Sequence, residues 1–192
     1  MKKSVKNILY KKAILDYERN GSIKLGPLSS RKYIEDPQYI MFQMSRYKHA
    51  CRLLSNKSKV ADIGTGDGIG LGIMSLYFNE VIAIDIDEYL LQTARKHNSN
   101  SKITFIEHNF FKDRLKGKLD AAICFDVMSS IPKKYENYFL SNIARSLKKD
   151  GILILGTQNK LATKFSKKKN LKEQPNFKTF DQLNTYILKY FK

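Results

Sequence analysis

The chain has 192 residues, 42% of them hydrophobic, and a formal net charge of +17. That length supports a single sizeable core, and the composition is that of a globular protein rather than a fibrous or disordered one. No apolar stretch approaches the ~20 residues of a membrane span, and the basic start MKKSVKNILYKK lacks the apolar core of a signal peptide, so cytoplasmic placement is the expectation.

Lysine is spread along the whole chain, and only KFSKKKNLK at 164–172 forms a dense cluster. Arginine, the better base reader and phosphate fork, is scarce beside it. The charge therefore suits solubility and loose anion attraction, and a nucleic-acid partner is allowed without being favoured. Cys51 and Cys124 show neither metal spacing nor a redox pair, and Cys124 within AAICF reads as a buried core thiol. No metal site is expected.

Residues 1–57 read as an N-terminal helical extension packed against the rest. Asp36-Pro37 supplies an N-cap and a proline at the first helical position, opening QYIMFQMSRYKHACRLL. Residues 58–192 then alternate. Apolar, β-branched runs at 59–63, 81–86, 102–106, 120–125 and 151–156 read as strands, and most of the segments between them carry helical periodicity. This is the β-α-β-α signature of an α/β fold, a doubly wound, mostly parallel sheet of about five strands with helices on both faces. Asp87 reads as the cap of the helix after the second strand. Pro132 opens a helix over KKYENYFLSNIARSLKK, in which Tyr135, Phe139, Ile143 and Leu147 share a face and Lys148 and Lys149 occupy the last turn. Residues 158–178 form a polar, basic loop. Thr179 and Gln182 make a capping box for a final helix, DQLNTYILKYF.

The most informative stretch is VADIGTGDGIG at 60–70, a buried strand that breaks into four alternating glycines. A dinucleotide fold asks for G-x-G-x-x-G, but the sixth position after Gly64-Thr65-Gly66 is Ile69. A P-loop is excluded by the absence of a Gly-Lys-Ser/Thr ending. So many glycines are expensive to order, and a plain strand-to-helix turn would not need them. The next strand, VIAIDID, ends in Asp85, where an acid accepts hydrogen bonds from ribose hydroxyls in nucleoside-binding sheets. The third, ITFIEHNFF, ends at Asn109-Phe110, with His108 beside them as a structural histidine; the fourth, LDAAICFDVMSSIP, at Asp126; the fifth is GILILGTQN.

Taken in register, these segments resemble the motifs of the class I S-adenosylmethionine-dependent methyltransferases over residues 58–160. The resemblance implies a Rossmann-like methyltransferase domain at 58–192 with S-adenosyl-L-methionine as cofactor. Asp62 would meet the methionine ammonium directly or through water. Gly64, Thr65 and Gly66 would cradle the methionine portion, Asp85 with Ile86 the ribose, and Asn109 and Phe110 the adenine. Asp126 faces the methyl-transfer region and is the catalytic candidate. Two departures stand out. Ser129-Ser130 replaces the family's Glu-His pair, which removes the usual general base, and the family's C-terminal hairpin is missing from the pattern. The stretch EDPQYIMFQMSRYKHACRLL resembles methyltransferases of bacterial surface-polysaccharide gene sets, in which an Asp-Pro and an Arg-Tyr-Lys precede the glycine loop; Arg46 and Tyr47 would line the cofactor or acceptor mouth, or Tyr47 would pack on the sheet instead. The expected function is O-methylation of a small-molecule or glycan acceptor. The alternatives are a degenerate cofactor-binding module and an RNA methyltransferase, and either another chain, as in a homodimer, or the N-terminal extension would cover the open edge beside strand five.

Overall fold

The structure, a computed structural model, describes residues 8–165 and 176–191. Residues 166–172 of the basic run lie outside the described residues, as does the stretch 166–175 of the expected 158–178 loop.

Among the described residues five strands form one sheet in the order β3-β2-β1-β4-β5, with every neighbouring pair parallel. They are β1 (Lys59–Ile63), β2 (Glu80–Asp85), β3 (Ile103–Glu107), β4 (Leu119–Phe125) and β5 (Leu147–Gly156). Among the described residues three helices precede β1: α1 (Ile8–Asn20), α2 (Pro27–Glu35) and α3 (Pro37–Leu53). Helices α4 (Leu71–Tyr77), α5 (Glu88–His97), α6 (Glu136–Ser146) and α7 (Phe180–Ile187) flank the sheet. Strand order reverses between β1 and β4, which opens a crevice at the carboxyl ends of those strands.

The apolar runs are buried on both faces, as parallel strands require. Ala61, Ile63, Ala122 and Cys124 face one core with Phe139, Leu140 and Ile143 of α6. Val60, Val81, Ala121 and Ile123 face the other, with Tyr47, Ala50 and Cys51 of α3 and Leu71 and Met74 of α4. Cys124 is the buried core thiol expected of it. Asp36 caps α3 through Gln38 N–H (3.1 Å), Asp87 caps α5 through Tyr89 and Leu90, and Thr179 and Gln182 form a reciprocal capping box on α7.

Two expectations need correction. The helix after Pro132 does not run to Lys149. A single 3-10 turn covers Lys133–Tyr135, α6 spans Glu136–Ser146, and Leu147 already pairs with Leu119. The reason is an anchor at Asp120, which takes Lys148 Nζ (2.5 Å) and the backbone N–H groups of Lys59 (2.8 Å) and Ser58 (3.2 Å). Those bonds, Lys148 first, hold the Asp120 carboxyl at about 2. Lys148 is thus drawn into a bulged strand start rather than a helix end. The second correction concerns α1: from Tyr10 onward it is exposed, so the packed part of the N-terminal extension is α2 and α3.

Residues 176–178 return to the body through a buried cluster. Lys178 Nζ lies 2.5 Å from Glu136 Oε1, which Asn176 Nδ2 also contacts, while Asn176 Nδ2 reaches Ile131 O at 2.8 Å. Asn176 N–H donates to Ser129 O (3.1 Å), so this return segment braces the loop after β4. Removing one partner of a buried pair strands the other charge. Lys178→Met is expected to destabilise the fold by about 3 kcal/mol, read by chemical denaturation. Adding Glu136→Leu should restore most of the loss, and equal damage from the double variant would refute the pairing.

Candidate functional site

The site begins where β1 runs out. Gly64 (φ +74°), Gly66 (φ +56°) and Gly68 (φ +81°) all take left-handed backbone, which side chains other than glycine adopt with strain. Gly64 and Thr65 both donate N–H to Ile84 O at 2.8 and 3.0 Å, and Gly66 N–H donates to Asp85 Oδ2 at 2.8 Å. The loop is thereby fastened to the end of β2. At Gly64 there is no room for a side chain, because a Cβ would fall 2.2 Å from Val127 Cγ2.

Three acids around this loop are held by the N-terminal helices. Asp62 is fully buried beneath it, with Thr65 Oγ1 at 2.7 Å and the Tyr47 hydroxyl at 3.1 and 3.2 Å from its two oxygens. Burial pushes its carboxyl up from 3.8 to about 6; the hydrogen bonds from Thr65 and Tyr47 pull the other way and offset only part of that rise. Tyr47 itself is core. Its ring lies against Gly70 and meets Phe125 edge-on at 5.1 Å.

Asp67 accepts from both Ser29 N–H and Ser29 Oγ at 2.7 Å, capping α2 from another part of the chain. Gly26 makes that approach possible, since a Cβ there would fall 2.3 Å from Asp67 Cβ. The result sets Leu28 over Gly66 as part of the roof.

Asp126 has φ +61°, the one non-glycine residue with positive φ among the described residues. Its N–H donates to Gly156 O (2.7 Å), and its Oδ2 accepts from Arg46 Nη1 (2.6 Å) and Gln43 Nε2 (2.7 Å). The Arg46 guanidinium stacks on Phe125 at 4.3 Å, in space that Gly156 leaves free: a Cβ there would fall 2.5 Å from Arg46 Nη2. Gln43 also reaches the Tyr39 hydroxyl at 2.5 Å, and burial raises the Tyr39 pKa.

A cavity of about 360 Å³ lies between these elements. Gly64, Gly66, Asp85 and Ile86 line one side, and Asn109 and Phe110 the other. Asp126, Val127 and Ser130 stand on its wall after β4. The structure thus brings seven of the sequence-selected residues onto one cavity: Gly64, Gly66, Asp85, Ile86, Asn109, Phe110 and Asp126. The side chains of Asp62 and Thr65 sit beneath the loop instead. Asp85 accepts from Gly66 and Asp87 backbone N–H groups, which fixes its carboxylate at the rim. Asn109 Oδ1 accepts from Phe111 N–H (2.8 Å). His108 lines the cavity with its Nε2 3.0 Å from Asp113 O and its ring edge-on to Phe110.

The two serines after β4 differ in role. Ser129 is buried and donates Oγ–H to Asp126 O at 3.2 Å, bracing the turn. Ser130 is exposed to the cavity. Sequence reasoning missed Ser29, Leu28, Gln43 and Asp67, because each acts on a distant segment and leaves no local spacing. Among the described residues no three His, Cys, Asp or Glu side chains group as metal ligands, and no helix is long and apolar enough to cross a membrane.

Residues 61–155 match a family model described as a methyltransferase domain. The fold is similar to the methyltransferase domain of bacterial CtHen1, at 18% identity over 77% of this chain and 82% of that one, with TM-score 0.67. DhpI in complex with SAH is similar at 13% identity over 84% and 80%, TM-score 0.67. The N-methyltransferase NodS from Bradyrhizobium japonicum WM9, in complex with S-adenosyl-L-homocysteine, is similar at 15% identity over 77% and 74%, TM-score 0.64. At these identities the likeness is one of fold. No curated protein matches the chain.

The buried Asp62 carboxyl has a measurable consequence. A carboxyl whose pKa is raised by folding holds its proton more tightly folded than unfolded. Its stabilising share is complete below 3.8 and is lost as pH rises through about 6. Asp62→Asn should therefore flatten the fall in melting temperature between about pH 4 and pH 7. Parallel pH profiles for the two proteins would contradict the assignment.

Proposed function

We propose that this chain, whose residues 61–155 match a methyltransferase domain model, is a class I S-adenosylmethionine-dependent methyltransferase that methylates a hydroxyl group of a small molecule or glycan precursor. The observation that carries this reading is the single cavity running from Asp85 at the end of β2 to Asp126 and Ser130 after β4. One end suits a nucleoside, and the other presents hydrogen-bonding groups to a neutral acceptor.

The residues fit S-adenosylmethionine. Bare glycine backbone at Gly64 and Gly66 leaves the methionine portion room to approach, and Asp85 offers carboxylate oxygens to ribose hydroxyls, with Ile86 beside it. Phe110, held by Asn142 through its carbonyl (2.9 Å), supplies an apolar wall for adenine, and Asn109 a polar edge. Asp62 and Thr65 act from below by setting the loop. The cofactor supplies a methyl group already activated on a sulfonium, so the chain's own work is alignment.

Asp126 is the residue placed to align the acceptor. Its Oδ2 is engaged by Arg46 and Gln43, while its Oδ1 accepts no hydrogen bond from the described residues and is the atom that would accept from an acceptor hydroxyl. Because Arg46 already neutralises this carboxylate, a neutral acceptor suits it better than an ammonium. Ser130 adds a second hydroxyl on the same wall.

Calorimetry with S-adenosylmethionine and S-adenosylhomocysteine tests the cofactor half. Asp85→Ala should weaken both by about tenfold or more, the loss of a hydrogen-bonded charged group; unchanged affinity would refute the ribose assignment. Transfer of labelled methyl to sugar nucleotides, polyols and RNA tests the acceptor half. Label in a hydroxyl-bearing small molecule, lost in Asp126→Asn with S-adenosylhomocysteine affinity retained, is the expected result. Label only in RNA, or none, would overturn it.

A further inference from the structure

Among the described residues three titratable side chains line the cavity, Asp85, His108 and Asp126, and only His108 has no part in the function proposed so far. Its place follows from the sheet. In the β2–β3 register Ile84 pairs with Ile106 and Asp85 with Glu107, and His108 N–H continues the ladder by donating to Asp85 O at 3.0 Å. Side chains alternate along a strand, so His108 shares the face of Ile106, and Ile86 that of Ile84. Ile84 and Ile106 pack on the core that holds Phe110. Ile86 and His108 come next on that face, and both line the cavity one residue past Asp85.

The ring is held at one nitrogen. In the turn after β3 the N–H groups of Lys112 and Asp113 donate to Asn109 O at 3.0 and 3.2 Å, which brings Asp113 O to 3.0 Å from His108 Nε2. A carbonyl can only accept, so Nε2 carries a proton and donates it. In the neutral ring Nδ1 is then a bare lone pair. Among the described residues Nδ1 has no hydrogen-bond partner. Phe110 meets the ring edge-on at 4.6 Å and restrains its tilt. Asn109 Oδ1, the neighbouring acceptor, already takes Phe111 N–H within its own turn.

We infer that His108 Nδ1 accepts a hydrogen bond from the exocyclic amino group of adenine, and so selects an adenine nucleoside over one with a carbonyl at that position. The inference rests on S-adenosylmethionine occupying the cavity as proposed. With the ribose on Asp85 and the base between Ile86 and Phe110, the base edge reaches the residue beside Asp85 on the β3 side. Selectivity comes from the lock on the ring. A free imidazole could move its proton to Nδ1 and suit an amino group or a carbonyl equally. Here that shift would take the donor from Asp113 O and set two lone pairs against each other. A carbonyl-bearing base therefore meets an acceptor that cannot become a donor, and it is rejected.

Calorimetry on the full chain with S-adenosylhomocysteine and its deaminated counterpart, S-inosylhomocysteine, reads this selectivity. The parent is expected to bind the adenine form about tenfold tighter or more, the scale of one hydrogen bond. His108→Phe keeps a ring against Phe110 but removes both nitrogens. It should weaken the adenine form about tenfold and leave the inosine form within about twofold. Heteronuclear NMR of the three histidine side chains reads the ring state independently. The His108 signals, assigned by their loss in His108→Phe, should show a proton on Nε2 and none on Nδ1. Adding S-adenosylhomocysteine should then move the Nδ1 nitrogen upfield, as accepting a hydrogen bond does. Unchanged selectivity in His108→Phe, a proton on Nδ1, or an Nδ1 signal that ignores the ligand would overturn the inference and leave the cofactor site standing. A parent that binds neither nucleoside would overturn both.

Discussion

Three carboxylates near the carboxyl ends of the sheet decide how the rest of the molecule is arranged. Asp62, Asp67 and Asp126 belong to the segments that build the crevice, and each is satisfied by a donor from α2 or α3. A buried carboxylate without partners costs several kcal/mol or gives up its charge. The helices before β1 are therefore bound to the site by the site's own polar requirements. Tyr47 meets Asp62 under the glycine loop, Ser29 meets Asp67 at its crest, and Arg46 with Gln43 meets Asp126 across from it. These contacts roof the cavity with Leu28 and set the Asp126 carboxylate on its wall.

Close approach is the second condition, and three glycines meet it in different ways. Gly64 admits Val127, Gly26 admits Asp67, and Gly156 admits Arg46 over the Phe125 ring. In each case the missing side chain lets two distant segments share a space too small for a methyl group. Only Gly64 of the three belongs to the glycine loop. Glycine is therefore used in this protein to fit the roof to the sheet as well as to turn the loop after β1. The strained backbone at Asp126 fits the same pattern: its N–H is tied to β5 and its carboxylate to α3, so the surrounding structure over-determines a conformation the residue would rarely take alone.

The sheet itself was legible because its signals are local. Five apolar runs broken by helical periodicity yield a parallel sheet whose switch point must lie at the ends of β1 and β4, and the glycine loop and Asp85 mark the same place. The caps at Asp36, Asp87 and Thr179 were legible for the same reason, since a cap and its helix are adjacent in sequence. The limit of α6 was not. Periodicity alone carries a helix through Lys149, but Asp120 claims Lys148 from another strand and turns the segment extended.

What the sequence determined on its own was the class of fold and the place of the glycine loop, both set by short-range spacing and hydrophobic period. The tertiary structure decided which acid faces the cavity and which lies beneath it, and it separated Ser129 as a brace from Ser130 as a wall. It also paired Arg46 with Asp126 and left α1 apart from the core. Those outcomes depend on satisfying buried charge across many residues of chain, and a charge's partner 80 positions away leaves no mark in local spacing.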